Sequence, residues 1–190
     1  MGHFQFKDLK FAGAKKIMPF QAFDRRGELI KVFSSEEYRE NGIVFSPFEE
    51  AFVHSKKGTL RGIHYQKYIP QPKLLRLISG YAWTVLVDID KKSPSYQQWI
   101  EVDINDRTTL YIPGMCALGT LALKDTVMHI MYGEKFIDEY SAGIRWNDKT
   151  LSVNWPLDKI GGTPIVSDKD RMLGEIPYPS QTKILNKILT

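Results

Sequence analysis

The sequence predicts an all-β fold, a barrel or sandwich of short strands. Three observations carry this expectation. Apolar and polar residues alternate with period two over short segments. Turn signals rich in Gly, Pro, Asn and Ser separate those segments at close spacing. Helix signals are few. Taken in order, Ser34 followed three residues later by Glu37 resembles a capping box, which predicts one to two helical turns around Ser35–Glu40, ended by Gly42. Phe52–His54 and Leu60–Tyr65 read as strands joined by a hairpin turn at Lys56-Lys57-Gly58, with Gly58 supplying the positive φ. Ala82–Ile89 is rich in β-branched and aromatic residues and stops at Lys91-Lys92-Ser93-Pro94. Trp99–Ile104 alternates apolar and acidic residues, Leu110–Ile112 ends at Pro113-Gly114, and Val127–Tyr132 is a further short run. Lys183–Leu189 reads as a short amphipathic helix or a mobile tail.

The chain has 190 residues, 26 Lys+Arg, 22 Asp+Glu and one cysteine, for a formal net charge of +4. No linker-like run or internal repeat divides it. One domain over 1–190 is expected, with its core at about 20–170 and a C-terminal extension at 171–190. Cys116 alone allows neither an internal disulfide nor a cysteine-based zinc cluster, and it points to a reducing compartment, the cytoplasm. No run approaches the roughly 20 apolar residues that span a bilayer, and the first five residues lack the pattern of a secretory leader. The surplus of cations suits nucleic acid, a membrane surface or an anionic small molecule. The pairs Lys15-Lys16, Arg25-Arg26, Lys56-Lys57 and Lys91-Lys92 are scattered rather than clustered, and most aromatics fall in strand patterns that suit a core, which speaks against a nucleic-acid partner.

Arg61-Gly62-Ile63-His64-Tyr65-Gln66 is the most suggestive stretch. On a regular strand Arg61, Ile63 and Tyr65 face one way, and Gly62, His64 and Gln66 the other. An inward His64 reads either as a general base in a pocket or as a hydrogen-bonded core histidine. The four histidines, His3, His54, His64 and His129, form no His-x-His pair, so no metal site is expected. Walker A and Gly-x-Gly-x-x-Gly sequences are both absent.

Leu60-Arg61-Gly62-Ile63-His64-Tyr65-Gln66 resembles the strand motif of the dTDP-4-dehydrorhamnose 3,5-epimerase family of nucleotide-sugar enzymes. Further matches follow in the family's order: Asp24-Arg25-Arg26-Gly27, Lys73-Leu74-Leu75-Arg76 with Gly80, Val87-Asp88-Ile89 with Ser93-Pro94-Ser95 and Trp99, Ile112-Pro113, Gly143 to Asp148, Val153 to Pro156, and Val166-Ser167-Asp168-Lys169-Asp170. The resemblance implies a cupin-like double-stranded β-helix, or jelly roll. It implies a homodimer that works without metal or organic cofactor on a nucleotide-diphosphate 4-keto-6-deoxy sugar, inverting C3, C5 or both through an enolate. By the same resemblance His64 is the general base and Asp170 its carboxylate partner, Tyr132 the acid on the opposite face, and Lys73 the cation beside the enolate oxygen. Arg26, Arg61, Lys169, Gln66 and Phe136 take substrate-binding positions, the cations against the diphosphate.

Some positions depart from the family pattern. Leu118 stands where a sugar-binding histidine is usual, Lys31 replaces a glutamate, and Glu49-Glu50-Ala51 replaces Gln-x-Asn. These changes fall on substrate recognition rather than on the proton-transfer set. Two alternatives share the scaffold: a nucleotide-sugar-binding protein without turnover, and a sugar 3,4-ketoisomerase.

Overall fold

Two antiparallel sheets face each other in this computed structural model, which describes residues 3–10 and 13–176. The predicted C-terminal helix or tail at 183–189 lies outside the described residues. The first sheet has six strands in the order β1 (Gln5–Asp8), β2 (Lys15–Met18), β10 (Thr109–Ile112), β7 (Lys73–Ser79), β12 (Thr126–Tyr132) and β5 (Glu49–Ser55). The second has five, in the order β13 (Ser141–Gly143), β6 (Leu60–Gln66), β11 (Cys116–Ala122), β8 (Ala82–Asp88) and β9 (Trp99–Ile104). A separate two-stranded ribbon pairs β3 (Phe20–Asp24) with β4 (Gly27–Lys31). This is the all-β jelly-roll architecture the sequence predicts. Among the described residues no helix is long and apolar enough to cross a membrane.

The inner faces of the two sheets meet in one core, with Leu75, Leu77, Leu110 and Ile112 from the first and Ala82, Leu86, Val102 and Ile104 from the second. The five-stranded sheet is covered on its outer face as well. There Trp83, Val85, Val87 and Leu121 pack against Ile144, Leu151, Trp155 and Val166 of the C-terminal segment. Every residue of β8 and β11 is therefore buried, and a strand buried on both faces reads as a continuous apolar run rather than an alternating one. Two carboxylates lock the edges of this layer. Asp88 collects the Ser93 and Ser95 hydroxyls at 2.5 and 2.6 Å, fixing the turn into β9. Asp148 accepts the backbone N–H groups of Thr150, Leu151 and Ile176 at 2.8–2.9 Å.

Helix α1 spans Ser35–Glu40, with Ser34 as its N-cap and Gly42 at φ +77° beyond its end. The glutamate arm of the expected capping box is diverted. The Glu37 carboxylate instead accepts from the Phe4 backbone N–H at 3.3 Å and from Lys31 at 3.2 Å. It thereby ties the chain start to a third apolar cluster of Phe4, Ile17, Tyr38, Ile43 and Leu74 on the outside of the six-stranded sheet.

Two expectations are corrected. The chain does turn at Lys56–Gly58, where the Thr59 N–H donates to the Lys56 carbonyl at 3.0 Å and Gly58 has φ +86°. However, β5 and β6 do not pair with each other: β5 pairs with β12, and β6 with β11 and β13. The segment is a crossover between sheets, which lets each strand bury one face in the interior that a lone hairpin would leave wet. The second correction concerns β6. Its regular alternation breaks because Arg61 sits opposite Thr120 and His64 opposite Leu118, so three steps on β6 match two on β11. This bulge turns Arg61 to the same side as His64, while Ile63 packs outward in the second cluster.

Candidate active site

A cavity of about 370 Å³ lies between the sheets. One wall carries Arg61, His64 and Gln66 of β6 and Leu118 and Thr120 of β11. The facing wall carries Val53 of β5, Lys73 of β7, and Met128, Ile130 and Tyr132 of β12. Ser167, Lys169 and Asp170 close it from helix α2 (Asp168–Arg171) and its cap.

Asp170 is held by its local sequence. The Ser167 hydroxyl caps α2 and accepts the Asp170 backbone N–H at 3.1 Å, which fixes the direction of the side chain. The Asp170 side chain is only 6 % exposed. Its Oδ1 lies 2.8 Å from His64 Nε2, and its Oδ2 accepts the Gly62 backbone N–H at 3.0 Å. Burial alone would raise its pKa. The hydrogen bonds from His64 and Gly62, the positive charge His64 can carry, and the Ser167 hydroxyl outweigh that effect and hold the carboxyl below its ordinary range. An ionised Asp170 can only accept, so Nε2 carries the imidazole hydrogen and the lone pair of the neutral ring is on Nδ1. Gly62 is required here: with φ +104°, a Cβ at this position would lie 2.5 Å from the Leu118 carbonyl.

On the opposite wall, Tyr132 lies between Glu49 and Lys73 in register across three strands. Lys73 is 7 % exposed and donates to the Gln71 carbonyl at 3.0 Å. Burial lowers its pKa to about 8, opposed by the nearby Cys116. The Tyr132 hydroxyl is raised by burial and then by the Glu49 charge, so it stays protonated at neutral pH. Cys116, buried next to this group, is pushed up to about 12, chiefly by desolvation, and remains an unreactive thiol.

The remaining residues expected at the site divide. The Arg61 guanidinium is braced by the Ser55 hydroxyl and the His54 carbonyl, each at 3.0 Å. Lys169 is exposed and lies 3.3 Å from Asp138. Gln66 lines the cavity, but both ends of its amide hold the loop after β12: it donates to the Lys135 carbonyl at 3.1 Å and accepts the Ile137 N–H at 2.7 Å. Phe136, on that loop, is 47 % exposed at the cavity. Arg26 lies outside the lining, at the exposed tip of the β3–β4 ribbon, where it pairs with Asp24 and depresses that carboxyl. Sequence reading missed Gln71, Thr120 and the apolar side chains Val53, Met128 and Ile130. Alternation along β5, β11 and β12 marks Val53, Thr120, Met128 and Ile130 as facing one way, but which face encloses the cavity depends on the sheet order, and Gln71 lies in the loop before β7. Among the described residues, no three His, Cys, Asp or Glu side chains converge as metal ligands.

The family model for dTDP-4-dehydrorhamnose 3,5-epimerase matches residues 8–176. The dTDP-4-dehydrorhamnose 3,5-epimerase of Methanothermobacter thermautotrophicus is 35 % identical over 174 residues, covering 90 % of this chain and 94 % of that protein. The crystal structure of the Bacillus anthracis dTDP-4-dehydrorhamnose 3,5-epimerase, with TDP and pyrophosphate bound, superposes with a TM-score of 0.86 at 29 % identity and covers 92 % of this chain and 100 % of its own. The Legionella pneumophila dTDP-6-deoxy-D-glucose-3,5-epimerase, in complex with dTDP-4-keto-L-rhamnose, gives 0.85 at 28 % identity, covering 91 % and 93 %.

Proposed function

The chain belongs to the dTDP-4-dehydrorhamnose 3,5-epimerase family, and on that premise we propose that it inverts C3, C5 or both of a dTDP-activated 4-keto-6-deoxy sugar. One observation carries the reading. The His64–Asp170 pair stands on one wall of the cavity, and Tyr132 with Lys73 stands on the facing wall. Epimerisation needs a proton taken from one face of a carbon and another delivered to the opposite face.

In this scheme His64 Nδ1 removes the hydrogen next to the 4-keto group. The C–H bonding pair becomes the enolate C=C, and the carbonyl π pair moves onto its oxygen. Asp170 keeps the ring oriented and stabilises the imidazolium. The Lys73 ammonium offsets the charge on the enolate oxygen in a poorly solvated site. The enolate then collapses by taking the Tyr132 proton at the opposite face, which leaves a phenolate. Exchange with water resets both groups. Arg61 and Lys169 bind the diphosphate, Phe136 packs against the base, and Gln66 holds the loop that carries Phe136.

The active form is a homodimer. Support comes from the outer edge of β5, which pairs with no other strand among the described residues, and from the exposed apolar side chains Phe23, Leu29 and Phe52. Arg26 meets the nucleotide in that assembly only if the β3–β4 ribbon of one copy reaches over the cavity of the other. A nucleotide-sugar substrate also suits a cytoplasmic location.

NMR of the product formed from dTDP-4-keto-6-deoxyglucose tests the proposal. The expected product has inverted stereochemistry at C3, C5 or both. A product with its carbonyl at C3 would make the chain a ketoisomerase, and tight binding with no reaction would make it a binding protein.

A further inference from the structure

The cavity has a polar gradient along β11. Thr120 lies opposite Arg61, at the end suited to the diphosphate, and Leu118 lies opposite His64, where the ring would react. From the facing sheet, Val53 and Met128 are cross-strand partners and Ile130 is the next inward residue on β12. Leu118, Met128 and Ile130 also belong to the main core, with Val53 packed against it. The cavity that holds the candidate base thus presents four apolar side chains, one of them, Leu118, directly across from His64.

A nucleotide-linked 4-keto-6-deoxyhexose has one substituent that suits such a surface. C1 carries the phosphate ester, C2 and C3 carry hydroxyls, C4 is a carbonyl and C5 carries the ring oxygen. Only the C6 methyl group makes no hydrogen bonds. C6 is also attached to C5, one of the two carbons from which His64 would take a proton, so a ring placed for that step brings the methyl group beside His64 and its cross-strand neighbour.

We propose that Leu118, together with Val53, Met128 and Ile130, is a specificity determinant that accepts a C6 methyl group and disfavours a C6 hydroxymethyl group. The inference rests on the epimerase reading above and adds the residues that select the sugar. A 6-hydroxyl placed on this wall loses its water and gains no partner. A hydrophobic pocket of this kind discriminates against an added hydroxyl by about 10- to 100-fold.

The test is the rate of solvent deuterium exchange into the ring of dTDP-4-keto-6-deoxyglucose and of its 6-hydroxy counterpart, dTDP-4-ketoglucose. The parent protein should favour the 6-deoxy compound by about 10- to 100-fold. Leu118→Asn, similar in size but polar, should lower that ratio severalfold or more, and Leu118→Met should keep it. Val53→Thr, which puts a hydroxyl on the other wall with little change in shape, should lower it independently and serves if Leu118→Asn does not fold. Equal rates for the two compounds in the parent, or a ratio unmoved by both polar variants, overturns the inference and leaves the epimerase reading standing. Exchange into neither compound overturns both.

Discussion

Replacing Asp170 with asparagine separates the charge of this group from its shape. The two carboxylate oxygens each face a donor, His64 Nε2 at 2.8 Å and the Gly62 backbone N–H at 3.0 Å. A carboxylate accepts both hydrogens, whereas an amide of the same outline has one oxygen and one NH2 group. If the amide oxygen stays on Gly62, the NH2 group meets His64, and Nε2 must become the acceptor. The imidazole hydrogen then moves to Nδ1, the position that must be free to take a substrate proton. If the amide is flipped, the Gly62 N–H is buried against another donor, which costs about 1–3 kcal/mol. The asparagine variant should therefore bind dTDP nearly as well as the parent, yet exchange substrate protons about 10²- to 10⁴-fold more slowly, the scale of losing correct imidazole orientation in other enzymes. It should also lose part of the parent's acid sensitivity. The Asp170 pKa is lowered by folding, so its stabilising contribution is present above the usual aspartate value near 3.8 and is lost as pH falls through the lower folded value. Exchange rates by NMR, with thermal melts at pH 3 and pH 7, check both points. An asparagine variant exchanging within threefold of the parent would refute the role assigned to the pair.

The other predictions concern the facing wall and the bulge. Lys73→Met keeps the stem and removes a poorly solvated charge. Folding lowers this pKa from 10.5 to about 8, so the parent gains stability as pH rises through that window, where only the unfolded chain binds the proton. Melts at pH 7 should show the variant more stable, by an amount on the order of 1–3 kcal/mol, while its exchange rate falls about 10²-fold or more. The parent's own activity should decline above about pH 8 as Lys73 loses its charge. Tyr132→Phe should still exchange substrate protons but yield at least about 10²-fold less inverted product, which product NMR resolves. Gly62→Ala forces a Cβ against the Leu118 carbonyl at positive φ, and urea unfolding should show a loss of about 2–3 kcal/mol or more.

Local signals in the sequence carried well where they were self-contained. Trp99–Ile104 is found with the bounds its alternation predicts, and the Ser34 cap starts its helix on time. The hairpin between β5 and β6 failed because a turn signal reports only that the chain reverses, not which sheet receives the next strand. The facing of Arg61 failed for a related reason. Its bulge is set by the pairing with β11, more than 50 residues away, and by a carbonyl that only a glycine can approach. His64, Lys73 and Asp170 were legible through ordered motifs and Tyr132 through the family resemblance, yet their convergence depends on the two sheets closing over one cavity. Motif membership did not distinguish chemistry from architecture. Asp88, Ser93, Ser95 and Asp148 belong to equally recognisable stretches, and they lock turns and the C-terminal cover rather than line the site.

Removal of a carbon-bound proton from a 4-keto sugar by His64 is tested most directly by deuterium incorporation from D2O into dTDP-4-keto-6-deoxyglucose by the parent and by His64→Asn, with dTDP affinity measured alongside. Incorporation is expected at C3, C5 or both with the parent, with a loss of several orders of magnitude in His64→Asn and nearly equal dTDP binding by the two proteins. No incorporation with the parent, or the same rate in both, would contradict this role of His64.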